Sequence, residues 1–191
     1  MVWRDYIQHQ FNRVDQATTN ENYFYAAFNT LLHSLFPPEE DYEVVPQYNQ
    51  VAGVIDFAVT HNAILLPIPI FFVEVKVPSA LDNIAPRALA DNQMRQRFTA
   101  ILNAFHPIPL PALFGISTMG TRFCVYRYST DTGHVTPPEI MPSPIYVTDT
   151  APRERWRYDL MRRTGERQLK LVVDEVKQMV LTIQHQQGHN G

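Results

Sequence analysis

Two stretches decide how this chain is read: Gly53-Val-Ile-Asp-Phe-Ala-Val59 and Phe71-Phe-Val-Glu-Val-Lys-Val77. Both are rich in β-branched and aromatic residues, and His61-Asn62 between them marks a hairpin turn. Side chains alternate along a strand, so Val54, Asp56 and Ala58 share one face while Ile55, Phe57 and Val59 share the other. Apart from Asp56 both faces are apolar, which predicts a central strand, and a carboxylate there is costly unless something pairs with it. In the second stretch Glu74 and Lys76 share the face opposite Val73, Val75 and Val77. Neighbouring strands then bring Asp56 beside Glu74 and Lys76. Two adjacent carboxylates repel each other, whereas a hard ion such as Mg²⁺ takes oxygen ligands of this kind and an ammonium orients an attacking water. Taken singly, each residue also fits a plainer role. Asp56 is then a hydrogen-bonded structural acid, and Glu74 and Lys76 are the wet side of a half-exposed strand.

Upstream, Thr19 to Leu35 carries Phe24, Phe28, Leu31, Leu32 and Leu35 at helical spacing, with Thr19 or Asn20 as N-cap and Pro37-Pro38 as terminator. Glu21 lies along the same side as this stripe and so points toward the sheet; its plainer role is a favourable charge at a helix start. Tyr42 to Tyr48 reads as a further strand preceding the two above. Downstream, Pro86 to Phe105 has Met94, Phe98, Ile101, Leu102 and Phe105 at helical spacing. Ala112 to Ser117 and Arg122 to Tyr128 read as two strands joined at Met119-Gly120. The proline-rich segment from Ser129 to Pro152 is expected to be a long ordered loop, a lid or an edge cover, with a short strand at Ile145 to Val147. A C-terminal helix is expected over Glu166 to Ile183, followed by a frayed end.

The resulting order is a helix with Glu21, a strand, a strand with Asp56, a strand with Glu74-Val-Lys76, a helix and a strand. In this order, and in those letters, the chain resembles the PD-(D/E)XK nuclease superfamily over roughly residues 19–128. Ile55 stands where that motif has a proline. The resemblance implies an α/β (α+β) fold: a restriction-endonuclease-like core whose central mixed sheet is flanked by helices, here with an extra C-terminal helix. It further implies metal-dependent hydrolysis of a DNA or RNA phosphodiester that leaves a 5′-phosphate. Asp56 and Glu74 would hold Mg²⁺ or Mn²⁺, Lys76 would position the water, and Glu21 would bind a second metal or a metal-bound water. Gln93 or Gln96 would supply the polar residue that the following helix turns toward the site. A catalytically inactive nucleic-acid-binding or protein-interaction module on the same fold is the alternative.

Arg97, Arg153, Arg155 and Arg157, together with Arg95, Arg162, Arg163 and Arg167 and the aromatics Trp156 and Tyr158, form a candidate nucleic-acid surface. Glu154, Asp159 and Glu166 lie among them, and Trp156 also fits an anchor to the core. Composition narrows the field further. The 191 residues suit one domain with a full core, and 45% of them are hydrophobic, which excludes a disordered chain. The longest apolar run, Ala63 to Val73, is broken by Pro67 and Pro69, so no membrane span is expected. The start lacks the basic and apolar pattern of a secretory signal, and Cys124 is the only cysteine; both predict a reducing compartment, cytoplasm or nucleus. A net charge of −3 argues against indiscriminate polyanion binding. The seven histidines show no ligand spacing, and no phosphate loop, zinc cluster or serine triad is present.

Overall fold

The computed structural model describes residues 3–64 and 66–188. Among them lie four α-helices: α1 (Asp5–Asn12), α2 (Tyr25–Leu35), α3 (Ile84–Ala104) and α4 (Arg163–Gly188). The strands are β1 (Tyr42–Tyr48), β2 (Ile55–His61), β3 (Phe71–Lys76), β4 (Ala112–Met119), β5 (Arg122–Ser129), β6 (Val135–Thr136) and β7 (Tyr158–Asp159). The fold is α+β. One mixed sheet runs in the order β1-β2-β3-β4-β5-β6, and β7 also pairs with β5. β1, β2 and β3 form an antiparallel meander, α3 then crosses over, and β4 returns parallel to β3. β5 turns back antiparallel through a tight turn at Gly120, which has a φ of 61°.

Every residue of β2 is buried, as the two apolar faces around Asp56 predict, because α2 and α3 lie on opposite sides of the sheet. Phe36, just after α2, packs on Phe71 on one face. Met94 and Phe98 of α3 pack over Gly115 and Phe72 on the other. Gly115 has no room for a side chain, since a Cβ there would meet the Phe72 ring and the Met94 methyl at 2.6–2.8 Å. β3 is buried on both faces except at Lys76, so the half-exposed reading of Glu74 does not hold.

Several expectations are revised. The first expected helix starts with a 3-10 turn (Glu21–Phe24), in which the Asn20 side chain accepts the Asn22 N–H, and becomes α-helical only at Tyr25. α1 carries only Ile7 and Phe11 as buried apolar residues, too few for its periodicity to stand out. There is no strand at 145–147. Ser143 Oγ instead accepts the N–H groups of Ile145 and Tyr146, closing a turn, while the short strands form at 135–136 and 158–159. α4 extends beyond Ile183 to residue 188. The proline-rich segment is anchored as expected of an ordered loop. Arg87 of α3, itself buried, donates to the Ala151 carbonyl at 2.9 Å, the Leu81 carbonyl at 2.9 Å and Asp149 at 2.5 Å.

Candidate active site

The β2-β3 register sets Phe57 opposite Val73. Carried one residue further, it sets Asp56 opposite Glu74 on the face that α3 covers. The ladder opens there, because Asp56 Oδ2 accepts the Val75 N–H at 2.7 Å. The other oxygen, Oδ1, accepts a short hydrogen bond from the Tyr25 hydroxyl, and Gln47 Nε2 donates to that hydroxyl at 3.2 Å. The buried Asp56 carboxylate is thereby satisfied from α2 and from the β3 backbone.

Glu74 is more deeply enclosed, with 2% of its surface exposed. Two residues one turn apart on α3 reach it: Gln93 Nε2 donates to Oε2 and Arg97 Nε donates to Oε1, both at 2.5 Å. Burial pushes the Glu74 carboxyl up to about 7 from its ordinary 4.5; the Asp56 charge pushes the same way, and the Arg97 hydrogen bond and charge oppose both. The Tyr25 hydroxyl is driven well above its ordinary value, first by burial and then by its bond to Asp56. Gly53, at a φ of 79°, lets the preceding loop lie against the Arg97 guanidinium, where any Cβ would collide.

Lys76 ends β3 at the rim, where its ammonium lies 3.5 Å from Glu21 Oε2. The two border an open groove of about 440 Å³ whose far wall is Ser79, Asn83 and Pro86. Glu21, Asp56, Glu74, Lys76 and Gln93 thus meet at one end of the sheet, drawn from the 3-10 turn, β2, β3 and α3. Gln96 is exposed and lines a different groove with Arg95 and Asn103.

The candidate nucleic-acid arginines do not share one place. Arg97 belongs to the carboxylate cluster. Arg155 is almost enclosed; it pairs with Asp91 and donates to the Pro138 carbonyl at 2.7 Å. Asp91 also takes Arg95 at 3.0 Å and the Tyr126 hydroxyl at 2.7 Å, so this network ties α3 to β5 and to the 153–156 turn. Trp156 is fully buried, with its Nε1 donating to Ser117 Oγ at 3.3 Å, and presents no face to a base. Arg153 is exposed and pairs with Asp82 at 3.3 Å, while Arg157 lies over the Tyr158 ring.

Sequence reading missed Tyr25 and Gln47 and did not connect Arg97 to Glu74. Tyr25 follows Glu21 by four residues, a helical spacing that offered one clue. Gln47 sits on β1 with a φ of 52°, for which the sequence carries no signal.

The donor set suits a hard divalent ion. Each of the four oxygens of Asp56 and Glu74 accepts one protein hydrogen bond, which leaves a lone pair on each, and Mg²⁺ is commonly held by one or two carboxylates with water and phosphate oxygens completing the shell. Among the described residues no three His, Cys, Asp or Glu side chains are grouped to hold an ion by themselves. No protein-family model, no curated protein and no solved structure matches the chain. Among the described residues no helix is long and apolar enough to cross a membrane.

Proposed function

We propose that the protein is a metal-dependent phosphodiesterase acting on DNA or RNA, with a site of the PD-(D/E)XK type on a restriction-endonuclease-like core. One observation carries the reading: two buried carboxylates, Asp56 and Glu74, adjoin a rim lysine that opens on a groove. A structural acid needs hydrogen bonds but has no need of a second acid beside it, and burial, with the Asp56 charge adding to it, lifts Glu74 to about 7. Asp56 and Glu74 would hold Mg²⁺ or Mn²⁺, which supplies Lewis-acid polarisation of the phosphate. Gln93 fixes the Glu74 rotamer, and Tyr25 fixes that of Asp56. Lys76, part-exposed at the groove, orients the attacking water, and Glu21 holds the ammonium in place. The lone buried Cys124 accords with a reducing location, cytoplasm or nucleus.

Arg97 favours a second reading. Its guanidinium neutralises Glu74 and so competes with an ion for the same carboxylate, as an inactive binding module on this fold would allow. Plasmid DNA and a structured RNA, each incubated with Mn²⁺ or with EDTA, separate the two. The enzyme reading predicts metal-dependent cleavage by the wild type and a loss of roughly 100-fold or more in Lys76→Ala. Lys76→Ala should retain its Mn²⁺-induced rise in melting temperature, because both carboxylates remain. Cleavage by neither protein, or equally by both, rejects the assignment.

A further inference from the structure

The basic residues divide sharply by partner. Lys76, Arg87, Arg95, Arg97, Arg127, Arg153, Arg155, Lys170 and Lys177 each have a carboxylate within 4 Å. Among the described residues Arg4, Arg13, Arg122, Arg162, Arg163 and Arg167 have none, and of these Arg162, Arg163 and Arg167 stand together, all exposed, at the start of α4. Arg157, also exposed, lies over the Tyr158 ring and donates to the Tyr158 hydroxyl at 3.0 Å, with no carboxylate partner among the described residues. The nearby acids form no ion pair with this group among the described residues: Glu166 is bonded to Lys170 at 2.8 Å, and neither Asp159 nor Glu154 lies within 4 Å of one of these guanidinium groups. Cations at the start of a helix also oppose its dipole, so the fold itself gains nothing from Arg162 and Arg163 where they stand.

Their place in the sheet gives them a use. Lys76 pairs with Met119 of β4, Met119 with Arg122 of β5, and Arg122 with Asp159 of β7, after which the chain turns into α4. The arginines therefore stand at the same end of the sheet as the carboxylate cluster. Three strand spacings separate Lys76 from Asp159, the β7 residue from which the chain turns into α4, about 14 Å and close to four nucleotide rises of a duplex strand. The platform is rigid: the Arg162 N–H bonds to the Asp159 carbonyl at 2.9 Å, and Gly165 lets α4 lie directly on that backbone, where no side chain would fit.

We infer that Arg157, Arg162, Arg163 and Arg167 form the phosphate-backbone contact surface for a polynucleotide lying across the strand ends with one phosphodiester at Lys76. This rests on the nucleic-acid reading above. The ligand is a polyanion with regularly spaced phosphates, since one such chain spans both places.

The test is fluorescence anisotropy of a labelled 30-nucleotide DNA or RNA, single-stranded and duplex, in EDTA over a range of salt. The combined variant Arg162→Gln, Arg163→Gln, Arg167→Gln should bind roughly tenfold more weakly near 100 mM salt, and the slope of log K against log salt should flatten by about 2. Lys177→Gln, ten residues further along α4 and paired with Glu40, should leave both unchanged. An unaltered slope in the triple variant overturns the surface, as does a wild type that binds phosphatidylserine vesicles and not the oligonucleotides. Binding needs no metal, so the outcomes separate. Arginine-dependent binding without cleavage keeps this surface and rejects hydrolysis, whereas cleavage with arginine-independent binding does the reverse.

Discussion

Glu74 is the residue on which the proposed chemistry turns, and its protonation has a definite sign. Its carboxyl titrates near 7 in the folded chain against 4.5 ordinarily, mainly through burial. Between those values the unfolded chain has released the proton while the folded chain keeps it, so stability contributed by this group is full below about 4.5 and is lost as pH rises toward 7. Metal binding requires the ionised form and must strengthen over the same window. Thermal scans from pH 5 to 8 should therefore show the Mn²⁺-induced rise in melting temperature growing with pH in the wild type. Glu74→Gln should show a small, pH-independent response. A rise that is the same at pH 5.5 and pH 8 would place the ion away from Glu74.

At the scale of elements, α3 binds the molecule together. One side of it reaches Glu74 through Gln93 and Arg97, and its buried Arg87 and Asp91 capture the proline-rich segment and the turn after it. The fork of Arg87 serves three acceptors on two segments, a geometry a lysine cannot copy. Arg87→Ala should cost about 3 kcal/mol in urea unfolding and open residues 137–152 to proteolysis, with Arg87→Lys close behind. A loss below roughly 1 kcal/mol would mean that the segment holds itself. The long elements were legible because each buries a stripe or a whole strand of apolar residues: Tyr42–Tyr48 has the same limits in sequence and structure, and α3 differs by two residues at its start. The two-residue strands at 135–136 and 158–159 were not. Their place is set by pairing to β5, and a period cannot be counted over two residues. Ile145 to Val147 has strand composition, but with no neighbouring strand it stays exposed at 75% or more.

Across the whole molecule, the sheet order decides what meets at its site-bearing end. The meander brings Asp56 to Glu74, the parallel return of β4 leaves the end of β3 open at Lys76, and the turn into α2 carries Glu21 over it. This much of the cluster followed from alternation and order alone. The Arg97 contact to Glu74 did not, because it depends on the angle at which α3 crosses the sheet and on the absence of a side chain at Gly53. As proposed, these convergent acids work on a phosphodiester through a divalent ion. Cleavage of a labelled oligonucleotide, followed over increasing Mn²⁺ for the wild type and Asp56→Asn at pH 8, tests it most directly. The wild type should cleave in a saturable, metal-dependent way, and Asp56→Asn, whose amide keeps the shape but not the charge, should be slower by roughly 100-fold or more. Equal rates in the two proteins, or no cleavage by the wild type at any Mn²⁺ concentration, would contradict it.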